Sequence, residues 1–142
     1  MDLERRKKLV EKIKATSSKP SRHPGPTVTL EEFVEGNDDS GSIGCNLVPT
    51  LSPANFYRIL KEIRSRKDVQ DVFVEIRDME DTEGIWPFSD TVFVLTSADP
   101  EELKKWLKTL SPDEVGQFPA ENTPNDLPLA NPGMKVLGAW WD

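Results

Sequence analysis

Two short apolar runs, separated by an acidic segment, constrain the fold of this chain more than any other feature. Residues 69–76 (VQDVFVEI) and 91–96 (TVFVLT) are rich in valine and phenylalanine, which are typical of buried strands. The intervening residues 78–90 are acidic and contain Gly84 and Pro87, which favour turns. The pattern therefore predicts an antiparallel strand pair in the middle of a sheet.

A helix pattern lies beside each of these strands, and both helices begin with the same signal. Ser52 precedes Pro53 and Asp99 precedes Pro100, and a capping side chain followed by proline is typical of a helix start. Apolar residues then recur at i, i+3, i+4 and i+7, which places them on one buried stripe of each helix. The stripes are Phe56, Ile59, Leu60 and Ile63 in the first helix, and Leu103, Trp106, Leu107 and Leu110 in the second.

Weaker patterns complete the element order. Residues 42–48 alternate between apolar and polar side chains, with Ile43, Cys45 and Leu47 on one side, as a strand would. Residues 111–133 contain five prolines and are predicted to be irregular. Further helices are predicted over residues 2–15 and 30–35, and a last strand over residues 134–141.

The resulting order, β-α-β-β-α-β, predicts an α+β domain of the ferredoxin-like type with a helical extension at its N-terminus. We expect a four-stranded antiparallel sheet with both main helices on one face, because right-handed crossovers leave few other connections. The strands at residues 42–48 and 91–96 are expected at its centre. The predicted organisation is a basic N-terminal helix and linker in residues 1–27, followed by the ferredoxin-like domain in residues 28–142.

Alternation along the strands predicts a second apolar face on the far side of the sheet from the helices. Such a surface is too apolar to stay bare, and the N-terminal helices, the proline-rich residues 111–133 and a second subunit are all candidates to cover it. The side chains expected toward the helices are Ile43, Cys45, Leu47, Val72, Val74, Ile76, Val92 and Val94. The predicted interaction face comprises Phe73, Phe93, Leu95, Trp86, Trp140 and Trp141.

Charge is distributed unevenly along the chain, whose net charge is −7. Residues 1–22 carry eight basic and three acidic residues, which leaves ten basic and 22 acidic residues in the remainder. An acidic body repels phosphate backbones, so nucleic acid is expected as a partner for residues 1–22 only, if these do not dock onto the body. No apolar run approaches the roughly 20 residues that span a bilayer, and we expect a cytoplasmic protein without a membrane partner.

Residues with catalytic or metal-binding chemistry are few. A single cysteine, Cys45, and a single histidine, His23, argue against a thiolate or imidazole metal site. His23 lies in a predicted linker, and Cys45 is predicted to be a buried, inert thiol. Asp38 and Asp39, with Glu75, are the alternative for a metal held by oxygen atoms, although these residue types are also typical of a turn. We therefore assign no catalytic residue and no cofactor.

Several short segments carry a family resemblance. They are residues 30–33 (LEEF), 36–39 (GNDD), 41–46 (GSIGCN), 86–91 (WPFSDT) and 138–142 (GAWWD). In combination they resemble a small family of uncharacterised bacterial proteins, over about residues 28–142. The resemblance implies a bacterial, cytosolic origin, and it transfers no catalytic residue because no activity is known for that family.

Since no catalytic set is assembled, the sequence favours a non-enzymatic protein-interaction or regulatory module. Its expected partner is another protein or a second copy of the chain, bound as a dimer through the sheet. One alternative is a sensor domain that binds a small ligand near residues 46–52, between the first strand and the first main helix. Another is a metal-dependent hydrolase that uses Asp38, Asp39 and Glu75. The sequence identifies neither a substrate nor a partner.

Overall fold

A five-stranded antiparallel sheet forms the centre of the fold in the computed structural model, which describes residues 1–17, 26–80, 82 and 84–142. The helices are α1 (Leu3–Ser17), α2 (Leu30–Val34), α3 (Pro53–Arg64) and α4 (Pro100–Trp106), with short 3₁₀ turns at Lys108–Leu110 and Ala120–Asn122. The strands are β1 (Thr27–Thr29), β2 (Val69–Glu75), β3 (Thr91–Thr96), β4 (Glu114–Gln117) and β5 (Lys135–Trp140). Their order across the sheet is β1-β2-β3-β5-β4, and each neighbouring pair is antiparallel.

The predicted strand pair is confirmed, and it holds the core together. Val72 lies opposite Val94 and Val74 lies opposite Val92, and all four side chains are buried. The apolar stripes of α3 and α4 belong to the same core, so both main helices lie on this face of the sheet. Their buried members are Phe56, Leu60, Ile63, Leu103 and, in α4 and the turn after it, Leu107 and Leu110.

The helices begin where the sequence predicts. The Thr29 hydroxyl accepts the N–H of Glu32 at 3.1 Å, and the Glu32 carboxylate accepts the N–H of Thr29 at 3.0 Å, which completes a capping box. Ser52 caps α3 ahead of Pro53. Helix α4 begins at Pro100 without a side-chain cap. Local side-chain capping thus fixes the starts of α2 and α3.

The second face of the sheet is covered by the chain itself, through the covering segment (residues 118–133). The ring of Phe118 packs edge-on against Phe93, with the ring centroids 5.4 Å apart. Farther along, the Asp126 carboxylate accepts the N–H of Thr27 at 2.7 Å. The Gln70 side chain then bonds to the main chain of residues 129 and 131. Of the three candidate covers, the structure therefore shows the proline-rich one.

The predicted strand over residues 42–48 is wrong. Ile43 forms one isolated parallel bridge with Ser89, and no regular strand follows. The cause is Gly44, whose φ of +61° turns the chain, and a Cβ there would lie 2.7 Å from the Phe56 ring. As a result Cys45 is exposed instead of lying on the core side.

The α+β class and the antiparallel sheet are confirmed, whereas the exact ferredoxin-like topology is not. The sheet has five strands instead of the expected four. β1 and β4 are additional, the strand expected at residues 42–48 is absent from the sheet, and residues 91–96 lie at its centre as expected. β1 takes an edge position beside β2, and β4 lies within the segment predicted to be irregular. The domain boundary at residue 27 stays a prediction.

Helix α1 packs against the rest of the chain. Its apolar residues Leu9, Val10 and Ile13 are buried, and Leu9 and Ile13 belong to the central core. Arg6 is 6% exposed, and its guanidinium donates to three main-chain carbonyls, those of Glu80, Thr82 and Ile85, at 2.8–2.9 Å. These contacts attach α1 to the loop between β2 and β3.

Candidate protein-interaction edge

Strand β4 forms one edge of the sheet, and two prolines set its length. Ser111, with a φ of +49°, ends the 3₁₀ turn after α4, and Pro112 turns the chain away from the helix. At the other end, Pro119 lacks an N–H and follows directly after Phe118. Both prolines flank β4, so the main-chain donors within it are kept.

Val115 and Gln117 turn their main-chain groups away from the sheet. In an antiparallel pair, every second residue bonds to the neighbouring strand. The N–H of Phe118 donates to the carbonyl of Val136 at 3.0 Å, and this bond sets the phase of the pairing. Gly116 therefore faces β5, and the N–H and C=O groups of Val115 and Gln117 point toward the open edge.

A groove with a glycine floor runs along this edge. Gly116 lies directly opposite Gly138 in β5, and the partly exposed rings of Phe118 and Trp140 stand on either side. A Cβ on Gly138 would lie 2.8 Å from the Phe118 ring, whereas nothing lies within 4 Å of a Cβ position on Gly116. The groove has a volume of about 430 Å³. The space above Gly116 is therefore open to a side chain from outside.

Charged groups of both signs border the groove. Asp113 and Glu114 lie at the start of β4, and the Asp113 carboxylate accepts the N–H of Asp142 at 2.6 Å. Lys104 reaches the groove from α4, which packs beside β4. Fixed charges around an edge select partners by the position of their own charges.

A buried carboxyl group lies in the same cross-strand row as Trp140. Glu75 pairs with Thr91, which in turn pairs with Trp140. Glu75 is 2% exposed, its Oε1 lies 3.6 Å from the Arg77 guanidinium, and its Oε2 has no hydrogen-bond partner among the described residues. Burial raises the pKa of Glu75 to about 7, against the attraction of Arg77 and with help from the charges of Asp90 and Asp126. This carboxyl therefore exchanges its proton near neutral pH.

The predicted interaction-face residues are not brought together as one surface. Trp141 lies on the helix side, where its ring packs edge-on against Phe56 and its Nε1 donates to the Leu110 carbonyl at 2.7 Å. Among the six residues, Trp140 is the one that lines the groove. Phe93, Leu95, Trp86 and Trp141 are buried, and Phe73 and Trp140 are partly exposed.

The carboxylates of the metal alternative serve separate structural roles. Asp38 forms an ion pair with the N-terminal amine at 2.9 Å. Asp39 accepts the N–H groups of Gly41 at 3.0 Å and of Trp86 at 3.1 Å, as a turn residue does. In the part of the chain that the structure describes, no group of three or more His, Cys, Asp or Glu side chains is placed to hold a metal ion.

Residues 46–52, the site of the sensor alternative, form an exposed loop that is attached to the C-terminus. The Asn46 amide donates to the carbonyl of Asp142 at 2.8 Å. Val48 is 96% exposed, and Ser52 caps α3. Residues 48–50 thus face solvent, while Leu47 and Leu51 on either side of them pack against the core.

Basic residues of α1 bond to acids of α2 and the residue after it. The ammonium group of Lys12 lies 2.6 Å from the Glu32 carboxylate, and Arg5 forms an ion pair with Glu35. Part of the basic N-terminus therefore docks onto the acidic body. His23 lies outside the described residues. No helix among residues 1–17, 26–80, 82 and 84–142 is long and apolar enough to cross a membrane.

Sequence reasoning missed β4 and the groove beside it. The four residues of β4 show no apolar alternation, and the prolines around them indicated irregular structure. Two signals were nevertheless present. Gly138 inside the predicted last strand is typical of a close backbone approach, and Phe118 directly before Pro119 is an aromatic residue that needs cover.

Comparison with known proteins places the chain among proteins without an assigned activity. A family model described as the uncharacterized protein YfbO family matches residues 4–139. The uncharacterized protein YfbO of Escherichia coli (strain K12) is 38% identical over 120 residues, which cover 84% of each chain. No solved structure matches the chain. The family resemblance drawn from the sequence is thereby confirmed.

Proposed function

The chain belongs to the uncharacterized YfbO family, and we propose that it is a non-enzymatic protein-interaction module that adds an extended segment of a partner to the edge of β4. The observation that carries the proposal is the edge position of β4, where Val115 and Gln117 turn their main-chain groups outward beside an open groove. The cytoplasmic location expected from the sequence is part of this proposal.

Strand addition supplies both affinity and selectivity at such an edge. Each main-chain hydrogen bond contributes about 0.5–1.5 kcal/mol net, whatever the partner's sequence. Selectivity comes from alternate side chains of the added strand, one of which lies over Gly116 between Phe118 and Trp140. A large apolar side chain buried there contributes roughly 1.5–3 kcal/mol. Few such contacts suffice for reversible binding.

Natural edge strands usually carry features that prevent pairing, and β4 carries few of them. Very short strands, charged side chains, proline, inward-pointing charges and covering elements are the common devices, and β4 has the first two, with four residues and one charge. The prolines at 112 and 119 lie outside β4, and Glu114 is the one charged residue among its four. The second face of the sheet is instead covered by residues 118–133, which supports an edge rather than a face as the binding surface.

The acidic body also bears on the class of partner. With a net charge of −7, the chain repels phosphate backbones, which supports a protein partner over nucleic acid. The basic residues that carried the nucleic-acid alternative include Arg5 and Lys12, which form ion pairs with α2 and the residue after it.

Selection of short random peptides on the purified chain tests the proposal without knowledge of the natural partner. Peptides that bind through β4 should lose binding to Gln117→Pro, which removes an outward N–H and no bond to β5. The matched control is Gln117→Ala, which keeps that N–H and should keep binding. If every selected peptide binds Gln117→Pro as well as the native chain, while that variant melts normally, the proposal is wrong.

A further inference from the structure

We infer that the strand added at β4 is the β4 of a second copy, so that two chains form one continuous sheet about a two-fold axis at Gly116. This inference rests on the proposed function and names its partner. Its observations are the symmetry of the outward groups around Gly116, the missing side chain at the axis and the order of charges along α4 and the turn after it.

The outward groups of β4 are arranged symmetrically about its third residue. Val115 and Gln117 lie on either side of Gly116, and both turn their main-chain groups to the edge. A two-fold axis normal to the sheet, midway between the Gly116 residues of the two copies, sets Val115 opposite Gln117 of the second copy. Each of these residues then exchanges both of its main-chain bonds with the other chain, and β4 serves as its own complement.

The residue at the axis has no side chain, which allows the close approach that this pairing requires. Directly opposed residues without mutual hydrogen bonds lie about 4.5 Å apart at Cα in an antiparallel pair. Gly116 occupies this position in both copies, and nothing lies within 4 Å of where its Cβ would be. The paired strands therefore meet without a side-chain clash at the centre. The side chains of the second copy that reach the groove are then those of Glu114 and Phe118, on either side of its Gly116.

Charges on α4 and on the turn after it are partly complementary under the same symmetry. Glu101 lies in the first turn of α4, Lys104 lies in its last turn and lines the groove, and Lys108 follows in the 3₁₀ turn. The two-fold axis sets α4 antiparallel to its copy. Glu101, near the start of the helix, then faces Lys108 of the second copy, just beyond its end, and gives two attractive pairs. Lys104, between them, faces its own copy as one like-charge pair, and all three side chains are exposed. The surface is isologous, as a closed dimer requires.

Sedimentation velocity across a range of concentrations tests the inference directly. The native chain should change from monomer to dimer with rising concentration, and Gln117→Pro should raise the dissociation constant at least tenfold. Gln117→Ala, the matched control, should leave the dissociation constant within about twofold of the native value. Loss of two exposed ion pairs in Glu101→Lys or Lys108→Glu should raise it about fivefold, and high salt should act in the same direction.

Charge reversal at both positions separates the two-fold arrangement from other dimers. In Glu101→Lys/Lys108→Glu, each pair is restored with its signs exchanged, so the dissociation constant should return toward the native value. Failure of this rescue overturns the antiparallel placement of α4. A dimer that Gln117→Pro leaves intact uses another surface and overturns the inference altogether.

The same measurements distinguish failure of this inference from failure of the proposed function. A chain that stays monomeric at every concentration, yet binds selected peptides in a manner that depends on the Gln117 N–H, overturns the inference that the partner is a second copy. It leaves the proposal that the edge of β4 binds an added strand standing. A chain that neither dimerises nor binds peptides through β4 overturns both.

Discussion

Replacement of Glu75 by glutamine should stabilise the protein above pH 7 and leave its stability in acid nearly unchanged. Glu75 is 2% exposed, and burial raises its pKa from 4.5 to about 7. Between these values the folded chain holds a proton that the unfolded chain has released, so the free energy of unfolding falls as pH rises through this window. Glutamine has nearly the shape of the protonated carboxyl and removes the cost of the buried charge.

The magnitude follows from the size of the pKa change. A rise from 4.5 to about 7, at about 1.4 kcal/mol per pH unit, corresponds to about 3 kcal/mol at most. Arg77 lies 3.6 Å from the carboxylate, and glutamine gives up this attraction, so the expected gain is about 1–3 kcal/mol. Asp90 and Asp126 repel the same charge, which favours the neutral side chain.

Urea unfolding of the native chain and of Glu75→Gln, at several pH values from about 4 to about 8, measures this difference. The two curves of unfolding free energy should coincide in acid and diverge as pH rises through the window. Glu62→Gln, at an exposed position of α3, removes the same charge without burial and is the matched control. The reasoning would be refuted by a Glu75→Gln variant that is less stable than the native chain at about pH 8. It would also be refuted if the difference in unfolding free energy between the two chains were the same at every pH.

Three further substitutions test other parts of the structure by thermal or urea unfolding. Arg6→Met should lower the free energy of unfolding by about 2–4 kcal/mol, because three main-chain carbonyls lose their buried donor. A loss below about 0.5 kcal/mol would contradict the role of Arg6 in attaching α1 to the loop between β2 and β3. Gly138→Ala should lower the free energy of unfolding by about 1–3 kcal/mol, because the added methyl group meets the Phe118 ring. The control Gly116→Ala should change it by no more than about 0.5 kcal/mol, since nothing lies near the added methyl group there. Equal effects of the two substitutions would contradict the packing. Hydrogen bonds from Arg64 and Tyr57 lower the pKa of Glu31 to about 2. The stability that the ionised Glu31 contributes is therefore present above pH 4.5 and lost as the pH falls toward 2. In Glu31→Gln, the free energy of unfolding should fall less steeply over this acidic range.

Elements with strong local chemistry were predictable from the sequence. The capping box at Thr29, the Ser52–Pro53 start of α3 and the pairing of residues 69–76 with 91–96 each depend on neighbouring residues, and all appear in the structure. The strand predicted over residues 42–48 failed because one left-handed glycine, Gly44, outweighs the alternation around it.

The candidate site was less predictable because it depends on contacts between distant parts of the chain. β4 becomes a strand through pairing with β5, some twenty residues later, and its own sequence carries little strand signal. Trp140 was predicted to belong to an interaction face, yet its neighbours Gly116 and Phe118 meet it through tertiary packing alone. The alternation of the strands did indicate that the second face needs a cover, without showing which segment supplies it.

The central claim is that the edge of β4 is the binding surface. Amide hydrogen exchange at Val115 and Gln117 tests it most directly, because it reports on the two N–H groups that should bond to the added strand. In the dilute chain both amides should exchange rapidly, while that of Gly116, which faces β5, should be protected. When the chain is concentrated, or saturated with a selected peptide, Val115 and Gln117 should become protected at least tenfold. If these two amides still exchange rapidly in a complex that is shown to have formed, the edge of β4 is not the binding surface.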